Sequence, residues 1–212
     1  MSNWVLDPMS RLSEILFGLI MVLTFTCSLS VADVGREDVR LMLVGALGCN
    51  LAWGLIDGWF YLMNSLAEKS QNLKTHFAVR KAAPETARQL IAGALPPVLA
   101  SILTPAEFDS MHQRLLQLPA PPPRSRLDKN DWRAALGTFL LVLLSTFPVA
   151  IPFIVFQQTN IAMRVSNAIA VILLFAVGYA YGRITARHPW RVGIGMVVIG
   201  SLVVAGTMAL GG

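Results

Sequence analysis

The stretch CNLAWGLIDGWFYLMN, residues 49–64, is almost wholly apolar, yet Asp57 stands in its middle. Residues 41–67 around it hold no other charge. A helix needs about 20 apolar residues to cross the hydrocarbon core of a bilayer, so this run is long enough to span one. Lipid does not solvate a carboxylate, so Asp57 must face other helices or a water-filled cavity. The first statement sets the fold class, and the second directs attention to Asp57.

Four further stretches are free of charge: residues 15–32, 134–163, 165–182 and 192–212. The pattern predicts five transmembrane helices, at about 13–32, 41–66, 132–156, 162–182 and 190–211. A short loop is expected near Gln157-Gln158-Thr159-Asn160. The chain therefore reads as an all-α integral membrane protein in three parts. Residues 1–67 carry the first two helices, residues 68–131 a helical cytoplasmic insert with a Pro-rich linker, and residues 132–212 the last three helices. Composition agrees: only 14% of the 212 residues are charged and 55% are hydrophobic, where a soluble domain carries roughly a quarter charged. Ser30-Val31-Ala32 follows the first apolar run as a signal-cleavage site would. The length of the run, with Asp7 and Glu14 before it, favours a retained helix.

Basic residues outnumber acidic ones, 17 to 12. With the N-terminus in the cytoplasm, 14 of the 17 fall on the cytoplasmic side, ten of them between Lys69 and Arg133, and only Arg36, Arg40 and Arg164 lie outside. That asymmetry orients a multi-pass membrane protein with its C-terminus outside. It also accounts for the positive charge without nucleic acid, since no array of aromatics interleaves the basic residues. The expected surroundings are a lipid bilayer, of the bacterial inner-membrane type given the compact size and lack of an organellar targeting segment. Cys27 and Cys49 sit in apolar runs and have neither zinc-site nor disulfide-framework spacing. No Ser/His/Asp or His-rich constellation lies at membrane depth, which argues against a membrane enzyme.

Within the insert, Thr104-Pro105-Ala106-Glu107 supplies a cap, a proline at the first helical position and a glutamate at the third. A helix over 105–118 follows, with Phe108, Met111, Leu115 and Leu118 on one stripe. Before it, RQLIAGALPPVLASIL (88–103) reads as a helical pair broken at Pro96-Pro97, packed on its neighbours or lying on the membrane surface. PAPPPRSR (119–126) reads as a stiff linker. His76 and His112 are lone residues, expected to be solvent-exposed.

On the second membrane helix, Asn50, Asp57 and Asn64 are seven apart and share a face with Gly54 and Tyr61. Leu51, Leu55, Trp59 and Leu62 lie opposite. The first helix has Thr24, Thr26, Cys27, Ser28 and Ser30, whose hydroxyls are expected to bond their own backbone. It also has Met21, a soft thioether. Pro148 and Pro152 each remove a backbone donor from the third helix, and such broken helices line ion sites in transporters. A buried carboxylate that holds a proton when empty and releases it to a bound cation has the chemistry an antiporter needs.

The order of two membrane helices, a helical insert and three more helices resembles the vacuolar iron transporter family. SEILFGLIMVLTF is similar to the opening of that family's first helix, and GLIDGWFYLMNSLAEKSQ to the end of its second and the start of its insert. DWRAALGTFLLVLLSTFPVAIPF and GYAYGRITARHPWRVGIGMVVIGSLVVAGT are similar to its last three helices. The likeness spans most of 11–211 and is poorest over 84–126. It implies a homodimeric, proton-driven exporter of ferrous iron and related divalent ions, with its path at the dimer interface between first and second helices. The family has an aspartate before glycine in the first helix and a methionine before glycine in the second. Here Met21-Val22 and Asp57-Gly58 stand there, so acid and thioether are exchanged. Glu14 falls where the family has an acid near the first helix. The insert, with only Glu68, Glu85, Glu107 and Asp109 before its linker, lacks the family's glutamate cluster.

The expectation is thus a dimeric, proton-coupled Fe²⁺ or Mn²⁺ transporter, with the metal as substrate and no resident cofactor. Asp57 is the expected central ligand and proton acceptor, with Met21, Asn50 and Glu14 completing the metal-binding set. Gly54/Gly58 and Gly178/Gly182 form small-xxx-small steps that serve a dimer or intrachain packing. The alternative is a non-transporting scaffold or sensor on the same fold.

Overall fold

The computed structural model of the chain describes residue 6, residues 8–29 and residues 36–209. These form nine helices and no strand: α1 (Pro8–Leu29), α2 (Arg36–Lys81), α3 (Pro84–Ala94), α4 (Pro97–Ile102), α5 (Pro105–Gln117), α6 (Lys129–Ser145), α7 (Phe147–Val155), α8 (Thr159–Ile184) and α9 (Pro189–Ala209). Five spans are long and apolar enough to cross a membrane: Pro8–Thr26, Glu37–Lys81, Lys129–Val155, Thr159–Ile184 and Pro189–Gly206. They match the five expected spans in number and order. Their bounds differ most at α1, which starts at Pro8 rather than near residue 13, and at α2, which does not stop at residue 66. Ser30-Val31-Ala32 lies outside the described residues.

The chain forms two compact units, one of residues 1–61 with 129–212, the other of residues 62–128. In the first, every membrane helix contributes to one core: Leu19, Val22 and Leu23 from α1, Ala46 from α2, Val149 from α7, Leu174 from α8 and Val204 from α9. Close backbone approach holds the layers. A Cβ on Gly178 would sit 2.9 Å from the Gly193 Cα, and one on Gly182 2.7 Å from the Pro189 Cα. Gly54 and Gly58 approach the Phe139 and Ala135 carbonyls in the same way, each at 3.0 Å from a hypothetical Cβ. Both small-residue steps therefore serve helix packing within the chain. The outward faces remain apolar, as at Leu41, Leu55, Trp59 and Ile172. Leu62, expected on that outer face, is instead buried.

The third span breaks at Thr146, between α6 and α7. Pro148 sits in the first turn of α7, where a missing N–H costs nothing, while Pro152 lies inside that helix. The break falls at Thr146 because Pro148 leaves the Leu144 carbonyl without its usual donor.

In the second unit, α5 begins at the expected capping box: the Thr104 N–H and hydroxyl both donate to Glu107 Oε2, at 2.7 and 2.8 Å. The 88–103 stretch is a helical pair, α3 and α4, split at Pro96-Pro97. Phe108 packs with Val79, Ala87 and Ile91, with Met111 and Leu115 against them. Leu118 falls past the helix end and is exposed. His112, expected to be solvent-exposed, is buried, and its Nε2–H donates to the Val79 carbonyl at 3.0 Å. The reason is its place one turn after Phe108, on the stripe that faces the core. His76 is half-buried, with its Nε2 shielded from solvent.

Arg88 donates two bonds of 2.6 Å to Asp109, tying α3 to α5. Those bonds hold the Asp109 carboxyl below the usual aspartate range. The Thr104 backbone N–H, and then its hydroxyl, do the same for Glu107. Both groups bind protons less tightly in the folded insert than in the unfolded chain. Their contribution is therefore complete above the ordinary carboxylate range, near pH 4, and is lost as pH falls through the lowered folded values. Amide hydrogen exchange across 104–112, corrected for intrinsic rate, is expected to lose protection between pH 6 and pH 3. Asp109→Asn should remove the part carried by Arg88. Unchanged protection at pH 3 would contradict this.

Candidate functional site

The site is built on the antiparallel pairing of α1 and α2. A Cβ on Gly45 would lie 3.7 Å from the Phe25 ring, and Asn50 Nδ2 donates to the Gly18 carbonyl at 3.3 Å. The Phe17 and Trp53 rings meet edge to face at 5.7 Å. As α1 numbers fall, α2 numbers rise. Continued by one turn, this register brings Glu14 level with Asp57. The two carboxylates lie close enough for their charges to interact. Both are half-buried, and neither has a hydrogen-bond or ion-pair partner among the described residues. Two acids thus stand at one level of a helix pair, with no basic residue paired to either among the described residues.

The other two candidates lie at a different level. Asn50 is seven residues from Asp57 and Met21 seven from Glu14, about 10 Å along each helix at 1.5 Å per residue. Asn50 is fully buried, and its amide also donates to the Thr146 hydroxyl. Its Oδ1 has no partner among the described residues. Thr146 is available for this bond because the helix breaks at that residue. Met21 is half-buried on α1. A first coordination shell reaches only about 2.0–2.6 Å, so one ion cannot touch both Asp57 and Asn50 of the same chain. The stripe of Asn50, Asp57 and Asn64 runs from fully buried through half-buried to exposed.

Asn50 therefore has a bonding role in the bundle core. Replacing it with Leu removes interhelical bonds at membrane depth, where each is worth about 0.6–1.7 kcal/mol. Asn50→Leu is expected to lower the thermal midpoint of the detergent-solubilised protein by a few degrees. A wild-type midpoint would remove that role. On α1, Thr24 and Thr26 donate to the Ile20 and Leu23 carbonyls, at 3.0 and 3.2 Å, which is the local bonding expected of them.

Sequence reasoning missed Thr146 and Gly18, because neither residue type signals chemistry and only the packing brings them to Asn50. It also missed a cleft of about 560 Å³ in the insert, lined by Glu68, Asn72 and His76 one turn apart on α2 and by Ile91 and Leu95. The i, i+4, i+8 spacing was the available signal. Among the described residues, no three His, Cys, Asp or Glu gather as a metal cluster. Glu107 and Asp109 are committed to the cap and to Arg88.

None of the curated proteins matches this chain closely enough to serve as a relative. The sequence pattern of the VIT family matches residues 61–212, which takes in the insert and all of α6–α9. Glu14, Met21, Asn50 and Asp57 precede the matched segment, so their roles rest on the geometry above. Five spanning helices and a match over most of its length make this chain a multi-pass membrane protein belonging to the VIT family, a family of membrane metal-ion transporters.

Proposed function

We propose that this protein is a proton-coupled transporter of a divalent cation, Fe²⁺ or Mn²⁺, with Glu14 and Asp57 as the ion-binding and proton-accepting pair. The observation that carries the reading is the pairing itself: two carboxylates from adjacent spanning helices, within electrostatic reach, with no partner among the described residues. Like charges so placed cannot both stay ionised unless a cation or a proton sits between them. Occupancy by a divalent ion and occupancy by protons are then alternatives, which is the requirement for exchange. Carboxylate oxygens suit Mn²⁺ and Fe²⁺.

One chain offers two acids, and a homodimer with α1 and α2 at its interface would offer four. The apolar outer face of α2, with Leu41, Val44, Leu51 and Leu55 exposed, is compatible with such an interface. The insert lacks clustered carboxylates, which favours the bundle over the insert as the ion site. The test is metal flux into proteoliposomes with an internal pH probe, supplying Fe²⁺, Mn²⁺ and Mg²⁺ in turn. Flux of Fe²⁺ or Mn²⁺ with opposing proton movement supports the proposal. Absence of flux for every ion, from folded protein, would leave the alternative of a scaffold or sensor on the same fold.

A further inference from the structure

The turn joining α8 to α9 carries a second, unassigned feature. α8 ends with the Arg187 N–H donating to the Gly182 carbonyl at 2.9 Å, six residues closing on one. That closure holds Ala186 at φ 53°, in the left-handed region that disfavours any residue with a Cβ. Glycine is usual at this place in a helix C-terminus. Residues held in sparsely populated backbone regions are concentrated at functional sites. The effect of the closure here is to turn Arg187 and His188 into a cleft of about 570 Å³, lined also by Arg191 and Val192.

Among the described residues, no acid pairs with the basic side chains of this cleft. No Asp or Glu occurs anywhere from Arg133 to Gly212. Among the described residues, neither Arg187 nor Arg191 makes an ion pair. The two flanking helices are both spanning segments, so the turn lies at the boundary of the bilayer. Trp190, two-thirds exposed, packs on Phe175 and Tyr179 with ring centroids 5.5 and 5.8 Å away. An anchored, outward tryptophan is the side chain that marks the headgroup level.

We infer that the α8–α9 cleft is a binding site for an anionic phosphate group, held by the guanidinium forks of Arg187 and Arg191. The position at the headgroup level favours the phosphodiester of an anionic phospholipid as its source. Guanidinium binds phosphate through paired N–H donors, and a basic pocket between membrane helices is suited to a lipid headgroup.

The test uses the full chain in detergent, with phosphatidylglycerol or phosphatidylcholine added and lipid retention read by native mass spectrometry. One basic residue at a membrane surface changes anionic-lipid affinity roughly fivefold. The R187Q/R191Q variant is therefore expected to lose about 25-fold in phosphatidylglycerol retention, with phosphatidylcholine unchanged. R124Q/R126Q removes the same charge from the exposed Pro-rich linker and should retain the lipid as wild type does. R191Q alone, outside the turn, gives the same comparison at about fivefold should the double variant fail to fold. If lipid retention is unchanged but thermal stabilisation by inorganic phosphate disappears in R187Q/R191Q, the site is a phosphate site supplied from solution. Wild-type retention together with no phosphate effect would overturn the inference. So would an equal loss in R124Q/R126Q, because it would assign the effect to net charge alone.

Discussion

Asp57→Asn should abolish coupled metal flux in proteoliposomes while leaving the protein folded. The substitution keeps the shape of the side chain and removes both the negative charge and the protonatable oxygen. Glu14 then faces an amide, and the divalent ion loses one of the two acids that balance it. An acid that loses its contact with a bound cation at a half-buried level forfeits about 4 kcal/mol at an effective dielectric near 20, which corresponds to roughly 100-fold or more in ion affinity. At metal concentrations that saturate the wild type, the initial rate should fall to the background of empty liposomes, and the internal pH change should vanish with it. Glu14→Gln is expected to act in the same direction. The double variant should be scarcely worse than either single one, because two ligands of one ion do not contribute independently. Additive losses would place the acids in separate sites. Wild-type flux in Asp57→Asn would remove the carboxylate pair from the transport reading.

Gly18→Ala is expected to be the most damaging substitution for stability. A Cβ there would lie 2.7 Å from the Val142 carbonyl oxygen and would overlap Ser145 Oγ. The serine can rotate, although it would give up its 2.7 Å bond to Val142 O. The carbonyl cannot move without shifting α6, so α1 and α6 must separate. The same shift pulls the Gly18 carbonyl from the Asn50 amide. Overpacking of this kind costs about 1–3 kcal/mol. The thermal midpoint of the purified protein should drop by several degrees, and the drop in Gly18→Val should be larger. Gly48, on α2, has nothing within 4 Å of a hypothetical Cβ. Gly48→Ala should therefore be neutral or stabilising by up to about 1 kcal/mol through helix propensity. Equal midpoints for Gly18→Ala and Gly48→Ala would show that α1 and α6 are not in close contact.

The two effects are separable because they act at different levels of one helix pair. Asp57 lies about two turns from Asn50 along α2, and Glu14 about one turn from Gly18 along α1. Asp57→Asn changes charge at a half-buried level where no described residue bonds it, and should leave the midpoint nearly unchanged. Gly18→Ala changes packing at the fully buried level and reaches transport only through the fold.

Much of this architecture was legible from residue types and spacing. Bilayer thickness demands long apolar runs and backbone chemistry demands helices within them, so five charge-poor stretches imply five spans. The α5 start was equally readable, because Thr104, Pro105 and Glu107 act locally on the first turn. Asp57 drew attention because a carboxylate within an apolar run needs a partner. Other features were decided only when distant segments met. That Glu14 stands level with Asp57 depends on the register of α1 against α2, which the Asn50–Gly18 bond and the Phe17–Trp53 contact fix. That Asn50 bonds the core rather than standing beside Asp57 depends on Thr146, which is 96 residues away in sequence. His112 is buried by its place beside Phe108 on the face that α5 turns to its core, and Leu118 is exposed by the end of the helix. Local chemistry determines which segments cross the membrane. Which polar groups share a level within it depends on helix register, a property of side-chain fit that no single segment contains.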